Sequence, residues 1–291
     1  MHYYAAVRNP AIRHGATDVN FTMRTPKRPA EHSTTTQTSS ALAWLSDTAA
    51  VQTHCEETRS VVARLLASGG GFARVPNFLP KSVAEACNEM LTGLPAAAWE
   101  LMSRDEQDDQ GQAIEHSFQF AEPEDHPETL GLLAKAVAKI YPELVPSFSA
   151  ATYGRGNFIH PHDDKAHVAV QLGGGEEVLH SRKYAAVLYL AKGWKRQWGG
   201  AFVDLEGEAE HVPAFNSLII FEVPRMHFVA PVLSDARRRL SLFGWWLEAG
   251  QLYELDGEES GDEEKERGSR KGSRKRTHAK DEGGRKAGRR R

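Results

Sequence analysis

The second half of the chain contains a series of short apolar runs that are separated by glycine and proline. The clearest runs cover residues 148–153, 184–190, 201–205, 217–223 and 239–247. The breaks between them fall at residues 154–156, 173–175, 199–200 and 213. Runs of this length with turn residues between them predict β-strands. Many such strands in succession are typical of a barrel or a jelly roll.

The first half has helical periodicity instead. Apolar residues recur at helical spacing over residues 51–66, and three glycines at 69–71 end that segment. Residues 72–79 then predict a short strand, and Pro80 and Pro127 each open a further helix with one apolar stripe. We therefore expect a mainly β core with supporting N-terminal α-helices that cover one side of the sheet.

Composition limits the class of protein. The chain has 291 residues with 40% hydrophobic content, which is enough for one globular domain with a core. Its two cysteines, Cys55 and Cys87, exclude a disulfide framework and a thiolate metal site, and they favour a reducing compartment. No apolar run reaches the roughly 18 residues of a membrane helix. The sequence thus predicts a soluble protein of the cytoplasm or nucleus with no membrane partner.

Both ends of the chain are poor in structural signals. Residues 1–40 are basic and rich in hydroxyl groups, and residues 251–291 are acidic first and basic from Arg267 onward. Segments with so few apolar residues cannot bury enough surface to offset the entropy of ordering. We expect both to be disordered, which leaves a domain over residues 41–250.

The two ends leave functional alternatives open. The basic residues after Arg267 are typical of a nuclear-import signal or a weak nucleic-acid contact, and equally of a solvated segment with no partner. The basic N-terminal extension is also compatible with an organelle transit peptide, although no amphipathic apolar face accompanies its arginines.

Two histidines and one carboxylate form the most specific motif. His162 and Asp164 are separated by one residue, and His227 follows near the end of a later strand-like run. Two imidazoles and a carboxylate bind Fe(II) on one face and leave adjacent positions open for a chelating co-substrate and for O₂. On a strand, residues two apart point to the same face, and Asp163 would point away. The motif predicts a non-haem iron oxygenase.

Neighbouring residues compete for these roles. His160 also lies two residues from His162, so strand periodicity alone does not choose between the two pairs. Asp163 is excluded as a ligand only if the segment is a strand. Arg225, beside His227, is expected either to be structural or to shape the substrate entrance.

A longer set of motifs occurs in the same order as in a known family. These are residues 153–164, 184–190, Trp198 to Gly200, 213–221, His227 and Arg239 to Ser241. Over roughly residues 72–248 the chain resembles the 2-oxoglutarate and Fe(II)-dependent dioxygenases, and within them the prolyl-hydroxylase-like branch. The resemblance implies a distorted double-stranded β-helix, or jelly roll. It also implies iron bound by His162, Asp164 and His227, which favours His162 over His160.

The resemblance further implies a site for 2-oxoglutarate. The far carboxylate of this co-substrate would meet Arg239, whose planar guanidinium matches a carboxylate in a bidentate manner. Ser241 would share the inward face of the strand and donate a second hydrogen bond, while Tyr153 and Tyr189 are further candidates for contact.

Three consecutive arginines compete for the carboxylate. Arg237 and Arg239 would share a face, whereas Arg238 would point to the opposite face. The run from Arg239 to Trp245 favours Arg239 because it matches the pattern of the family.

In activity, the resemblance implies conversion of 2-oxoglutarate and O₂ to succinate and CO₂, coupled to hydroxylation of a C–H bond, with ascorbate as reductant. The branch favours a prolyl residue in a protein or peptide, with a free amino acid or another small molecule as the alternative. Substrate choice would lie in the loops 103–125 and 165–182, and the glycines at 173–175 predict a mobile lid.

Other activities are disfavoured. Nucleic-acid demethylases of this superfamily carry a second arginine six residues after the first, and Trp245 stands at that place here. Halogenases of the family lose the carboxylate ligand, whereas Asp164 is retained. A non-catalytic binding module is the weakest hypothesis, because all the expected ligands and Arg239 are present.

Overall fold

The computed structural model describes residues 31–102, 105–107, 113–171 and 176–255. The predicted disorder of residues 1–30 and 256–291 therefore lies outside the described residues. Helix α1 begins at Glu31, ten residues before the predicted start of the domain at residue 41.

The described residues contain four α-helices, which precede most of the sheet. They are α1 (Glu31–Ser46), α2 (Thr48–Ser68), α3 (Lys81–Gly93) and α4 (Leu130–Ala138). The side chain of Asp47 caps α2 by accepting hydrogen bonds from the backbone amides of Ala49 and Ala50. The predictions of α2 and α3 are confirmed. The third predicted helix starts three residues later than Pro127, because a short 3₁₀ turn and the segment after it occupy the residues before Leu130.

The strands follow in chain order. They are β1 (Phe72–Val75), β2 (Glu100–Met102), β3 (Asp105–Gln107), β4 (Ala113–Ala121), β5 (Val145–Tyr153), β6 (Phe158–His162), β7 (His167–Gln171), β8 (Glu177–Tyr189), β9 (Phe202–Asp204), β10 (Ala209–His211), β11 (Ser217–Glu222), β12 (His227–Val229) and β13 (Arg239–Ala249). All five strands predicted from the apolar runs are present.

Two segments predicted to be substrate loops contain regular structure. The segment 103–125 includes β3 and β4, and the segment 165–182 includes β7 and the start of β8, which pair with each other. The prediction of loops is therefore wrong for these strand residues, and the predicted lid at residues 173–175 lies outside the described residues. Their alternating polar and apolar residues are those of strands with one exposed face.

The strands form one curled antiparallel sheet in the order β1-β11-β8-β13-β5-β4-β6-β12-β9-β10. Strand β4 joins the two faces of this sheet, because residues 119–121 of β4 pair with β5 and residues 116–117 pair with β6. Strand β13 lies between β5 and β8, and Gly244 lets β5 approach closely. A Cβ at Gly244 would lie 2.0 Å from the carbonyl oxygen of Ser147. The predicted jelly-roll architecture is confirmed.

The alternation of side chains along the central strands separates two layers. Leu218 and Ile220 of β11 pack with the helices in the main core, whereas Ile219 and Phe221 belong to a second cluster on the inner face. The same alternation along β13 sends Leu242 toward the helices. The helices therefore cover the outer side of the large face, and the inner side borders a cavity.

The cysteines and the helices bear on two kinds of structure that the sequence disfavours, a disulfide framework and a membrane span. Cys55 and Cys87 are both free and buried, as expected without a disulfide framework. Within the described ranges, no helix combines the length and the apolar character that a membrane span needs.

Candidate metal centre and its cavity

A cavity of about 320 Å³ lies between the two faces of the sheet. Six of the predicted site residues line it: Tyr153, His162, Asp164, His227, Arg239 and Ser241. The seventh, Tyr189, does not line the cavity and lies beside Arg239 instead.

His162, Asp164 and His227 form a compact cluster. One ligand atom from each lies within 4.8 Å of the others. Nε2 of His162 is 3.2 Å from Oδ1 of Asp164, and Nε2 of His227 is 3.7 Å from Oδ2. The sheet places the two histidines together, because His162 ends β6 and is the cross-strand partner of His227, which begins β12.

Asp164 reaches the cluster by a different route from the one predicted. Strand β6 ends at His162, and Asp164 has a left-handed backbone with φ of 64°. The two-residue period of a strand therefore does not explain why its side chain faces His162. Asp163 does point away, since its carboxylate accepts a hydrogen bond from the Lys165 amide and forms an ion pair with the Lys165 ammonium group.

Backbone carbonyl groups fix the orientation of both imidazoles. Nδ1 of His162 donates to the carbonyl oxygen of His160 at 2.8 Å, and Nδ1 of His227 donates to that of Arg225 at 2.7 Å. Because Nδ1 carries the proton in both rings, the lone pair of each Nε2 faces the cluster, as a metal ligand requires. The side chain of His160 is turned elsewhere, where its Nδ1 accepts from the amide of Glu115.

The charges of the cluster depend on one another. Burial raises the pKa of the Asp164 carboxyl, but the His227 and His162 imidazoles more than offset this effect and hold that pKa well below its usual range. Burial lowers the pKa of His162, whereas the hydrogen bond and the charge of Asp164 raise it, with a net upward shift. Burial lowers the pKa of His227 to about 4. An ionised carboxylate beside a neutral imidazole is the state that binds a divalent metal.

Two residues not singled out as ligands complete the surroundings of Asp164. Nε1 of Trp245 donates to Oδ2 of Asp164 at 3.0 Å, and Nη1 of Arg182 donates to its carbonyl oxygen at 3.3 Å. The guanidinium of Arg182 also lies over the Trp245 ring, 3.6 Å from its centroid. Trp245 could have been found from the sequence, because it shares the strand face of Arg239. Arg182 could not, since its position depends on the pairing of β8 with β13.

Arg239 lies at the inner wall of the cavity. Its side chain is 1% exposed, and its guanidinium carbon is 4.4 Å from the ring centroid of Tyr153 and 5.0 Å from that of Tyr189. Among the described residues, Nε of Arg239 and the hydroxyl of Tyr189 are buried without a hydrogen-bond partner. Burial raises the pKa of Tyr153 to about 12, so its hydroxyl stays protonated. A buried cation with an unused donor at a cavity wall fits an anionic group such as a carboxylate.

The neighbouring arginines lie outside this cavity. Nη1 of Arg237 donates to the carbonyl oxygen of Lys192, and Nε of Arg238 donates to the hydroxyl of Thr152. Strand β13 begins at Arg239, so strand periodicity does not extend to Arg237, and the two do not share a face.

The sequence matches a family model over the residues that build the cavity. Residues 148–247 match the model described as the 2OG-Fe(II) oxygenase superfamily. All three members of the histidine and aspartate cluster lie within the matched segment, as do Arg239 and Ser241.

Curated relatives match a part of the chain. Prolyl 3-hydroxylase OGFOD1 from Xenopus laevis is 34% identical over 116 residues, which are 36% of this chain and 20% of the relative. The Mus musculus protein of the same name is 36% identical over 83 residues, which are 24% of this chain and 15% of the relative. The chain therefore spans about a fifth or less of the length of these relatives.

A solved structure of a Pseudomonas putida prolyl-4-hydroxylase has 24% sequence identity and a TM-score of 0.43, covering 65% of this chain and 97% of that one. Residues 148–247, which include the proposed site, are thus similar to the 2OG-Fe(II) oxygenase superfamily.

Proposed function

We propose that this chain is an Fe(II) and 2-oxoglutarate dependent oxygenase that hydroxylates a prolyl residue of a protein or peptide, with release of succinate and CO₂. The observation that carries this proposal is the presence, in one cavity, of the two-histidine, one-carboxylate cluster and of a buried arginine with an unused donor. The names of the curated relatives support the prolyl substrate.

The proposed iron ligands are His162, Asp164 and His227. Their donor set, two imidazole nitrogens and one carboxylate, is that of non-haem Fe(II) oxygenases. Bound iron would supply the activation of O₂. The chain contributes the fixed geometry, because both imidazoles are held by backbone carbonyls and Asp164 is held by Trp245.

The proposed site of 2-oxoglutarate lies between the cluster and Arg239. The guanidinium of Arg239 would bind the far carboxylate, and the Ser241 hydroxyl, two residues along the same strand face, would donate a second hydrogen bond. The protonated hydroxyl of Tyr153 is a further donor, and Tyr189 supports the guanidinium from behind.

The remaining walls suit a small apolar ring. Aromatic side chains that line the cavity are Phe118, Phe120, Phe202, Phe221, Phe243 and Trp245. A mostly apolar wall with a few placed polar groups binds an uncharged substrate segment and excludes water from the reaction. In this proposal, ascorbate serves as the reductant that keeps the metal in its ferrous state.

Incubation of the purified chain with Fe(II), 2-oxoglutarate, ascorbate and a set of proline-containing peptides tests the proposal. We expect succinate formation and addition of one oxygen atom to a prolyl residue, located by tandem mass spectrometry. His227→Ala should abolish both. His180→Gln is the matched control, because His180 is a buried histidine outside the cavity and its Nδ1 binds the carbonyl of Val178.

Two other outcomes of this incubation would contradict the proposal. Oxygen added to free proline or another free amino acid, with the peptides unmodified, would replace the peptide substrate by a small molecule. Absence of succinate formation in iron-loaded protein with every substrate would overturn the proposed activity and favour a non-catalytic module.

A further inference from the structure

Arg225 lies two residues before His227 and is buried, with a side chain 5% exposed. Its guanidinium forms a two-pronged ion pair with Asp204, in which Nε donates to Oδ1 at 2.9 Å and Nη2 donates to Oδ2 at 2.8 Å. The third nitrogen, Nη1, donates to the carbonyl oxygen of Gly70 at 2.7 Å. Every nitrogen of this guanidinium is thus engaged, which fixes the position of the whole residue.

The backbone of Arg225 contacts both sides of the candidate metal centre. Its amide donates to the carbonyl oxygen of Asp163, the residue between His162 and Asp164, at 3.1 Å. Its carbonyl oxygen accepts the Nδ1 proton of His227 at 2.7 Å. One residue therefore fixes the backbone that carries the carboxylate and also fixes the ring of the second histidine.

Asp204 is itself held firmly. It is 2% exposed, ends β9 and is the cross-strand partner of His227. Burial raises the pKa of its carboxyl, but hydrogen bonds from Arg225 and from the amides of Gly207 and Glu206 outweigh that effect and lower it. A Cβ at Gly207 would lie 2.4 Å from Oδ2 of Asp204, so this turn encloses the carboxylate closely.

Neither Asp204 nor Arg225 lines the cavity that contains the cluster. They are therefore absent from the first layer around a bound metal or co-substrate. Their effect on the centre passes through the backbone of Asp163 and Arg225 and through the His227 ring.

We propose that the Asp204–Arg225 pair consists of two positioning residues, which hold the His227 imidazole and the segment 163–164 in the geometry that binds the metal. This inference rests on the proposed function, because it takes His162, Asp164 and His227 as the ligands. The pair acts in the way that outer partners of metal ligands act elsewhere, by orienting a ligand without touching the metal.

Anaerobic titration of the full chain with Co(II), a redox-stable probe for the Fe(II) position, tests the inference. Three quantities are measured for each variant: the Co(II) dissociation constant, the visible absorption of the Co(II) complex and the Tm of the metal-free protein. Asp204→Asn, which keeps the size of the side chain, and Arg225→Gln should each weaken Co(II) binding by about tenfold to a hundredfold and change the absorption spectrum. Arg225→Lys, which keeps the charge without the fork, should recover part of the affinity.

Arg74→Gln is the matched control. Nη2 of Arg74 donates to the carbonyl oxygen of Val212 at 2.9 Å, and the side chain has no hydrogen bond to a residue of the centre. We expect this variant to lower the Tm while it leaves the Co(II) affinity and spectrum unchanged. A lower Tm with unchanged Co(II) binding in this control would show that general destabilisation alone does not weaken the metal site.

The Co(II) titrations distinguish failure of the positioning role from failure of the proposed metal site. Wild-type Co(II) affinity and spectrum in Asp204→Asn and Arg225→Gln would overturn the positioning role. If Arg225→Gln did not fold, the size-matched Asp204→Asn would decide. The proposed metal site itself would fail in a different way, with His227→Ala binding Co(II) as tightly as the wild type.

Discussion

Trp245 lies on the same strand face as Arg239, and its indole Nε1 donates a hydrogen bond of 3.0 Å to Oδ2 of Asp164. One strand thus presents both the arginine proposed to bind the co-substrate and a donor to the carboxylate proposed to bind the metal. The position at which the sequence comparison with nucleic-acid demethylases expected a second arginine is thus occupied by a donor to the proposed metal ligand Asp164.

Replacement of Trp245 by phenylalanine should weaken metal binding. The change removes the donor to Asp164 and keeps an aromatic face under the Arg182 guanidinium. A hydrogen bond to a charged group contributes about 1.5–3 kcal/mol, so we expect about a tenfold to hundredfold weaker Co(II) or Mn(II) affinity by calorimetric titration. Trp198→Phe is the control, because Trp198 packs on Trp194 and does not line the cavity. Equal losses in the two variants would contradict the role of this hydrogen bond.

Arg239→Ala should retain the metal and raise the 2-oxoglutarate requirement. The variant removes a buried, charge-assisted partner of the co-substrate carboxylate, at a cost of roughly 3–5 kcal/mol, which is about two to four decades in affinity. Binding of 2-oxoglutarate to the metal-loaded protein measures this loss. Arg237→Ala is the control, since Arg237 is exposed and donates to the carbonyl of Lys192. A large defect in Arg237→Ala with a small one in Arg239→Ala would show that the proposed site is misplaced.

Metal binding should release about one proton near pH 5.5 and progressively fewer as the pH rises above the raised pKa of His162. The His227 and His162 imidazoles hold the pKa of Asp164 well below its usual range, so its carboxylate is ionised throughout this pH range. His162 has a raised pKa and carries a proton below its ordinary value of about 6.5, whereas His227, with a pKa of about 4, stays neutral there. A metal must displace the His162 proton. Calorimetry in buffers of different ionisation enthalpy counts the protons, and two released near pH 5.5 would contradict this assignment.

Truncation after Leu255 should leave the domain intact, whereas Tyr253→Phe should loosen the rim of the cavity. The Tyr253 hydroxyl accepts from the amide of Ala166 and lies within donating distance of the carbonyls of Ala166 and Arg182. Each such hydrogen bond contributes about 1 kcal/mol. Hydrogen exchange of residues 166–171 and 176–182 should therefore accelerate in Tyr253→Phe and not in the truncated chain. Faster exchange in the truncated chain alone would show that the segment after 255 supports this rim.

Local sequence patterns were enough to predict the strands and helices that build the frame. The apolar runs at 184–190 and 217–223 are found as β8 and β11, because both faces of these strands are buried. The segment 165–182 was predicted to be a loop, since its glycines at 173–175 dominate the local pattern. Pairing of β7 with β8 depends on residues that are distant in sequence, and a local pattern does not contain that information.

The residues of the candidate site could also be predicted only in part from the sequence. His162, Asp164 and His227 were identified by their types and order, and the structure brings them together. The reason given for Asp164 was wrong, because strand periodicity ends at His162. Arg225 was expected to be structural or to shape the substrate entrance, and its side chain is directed at Asp204 instead of the cavity. The pairing of Arg225 with Asp204 follows from the alignment of β9 with β12, which no spacing in the sequence reveals.

The left-handed backbone conformation at Asp164 does not depend on the carboxylate of its side chain. Aspartate, asparagine and above all glycine tolerate such a conformation with little strain. The carboxylate is therefore an exchangeable part of the centre, because glycine at this position would keep the path of the chain between His162 and Lys165. A single codon change would thus convert the proposed three-ligand centre into a two-histidine centre with one more open position, while the sheet that carries both histidines stays as it is.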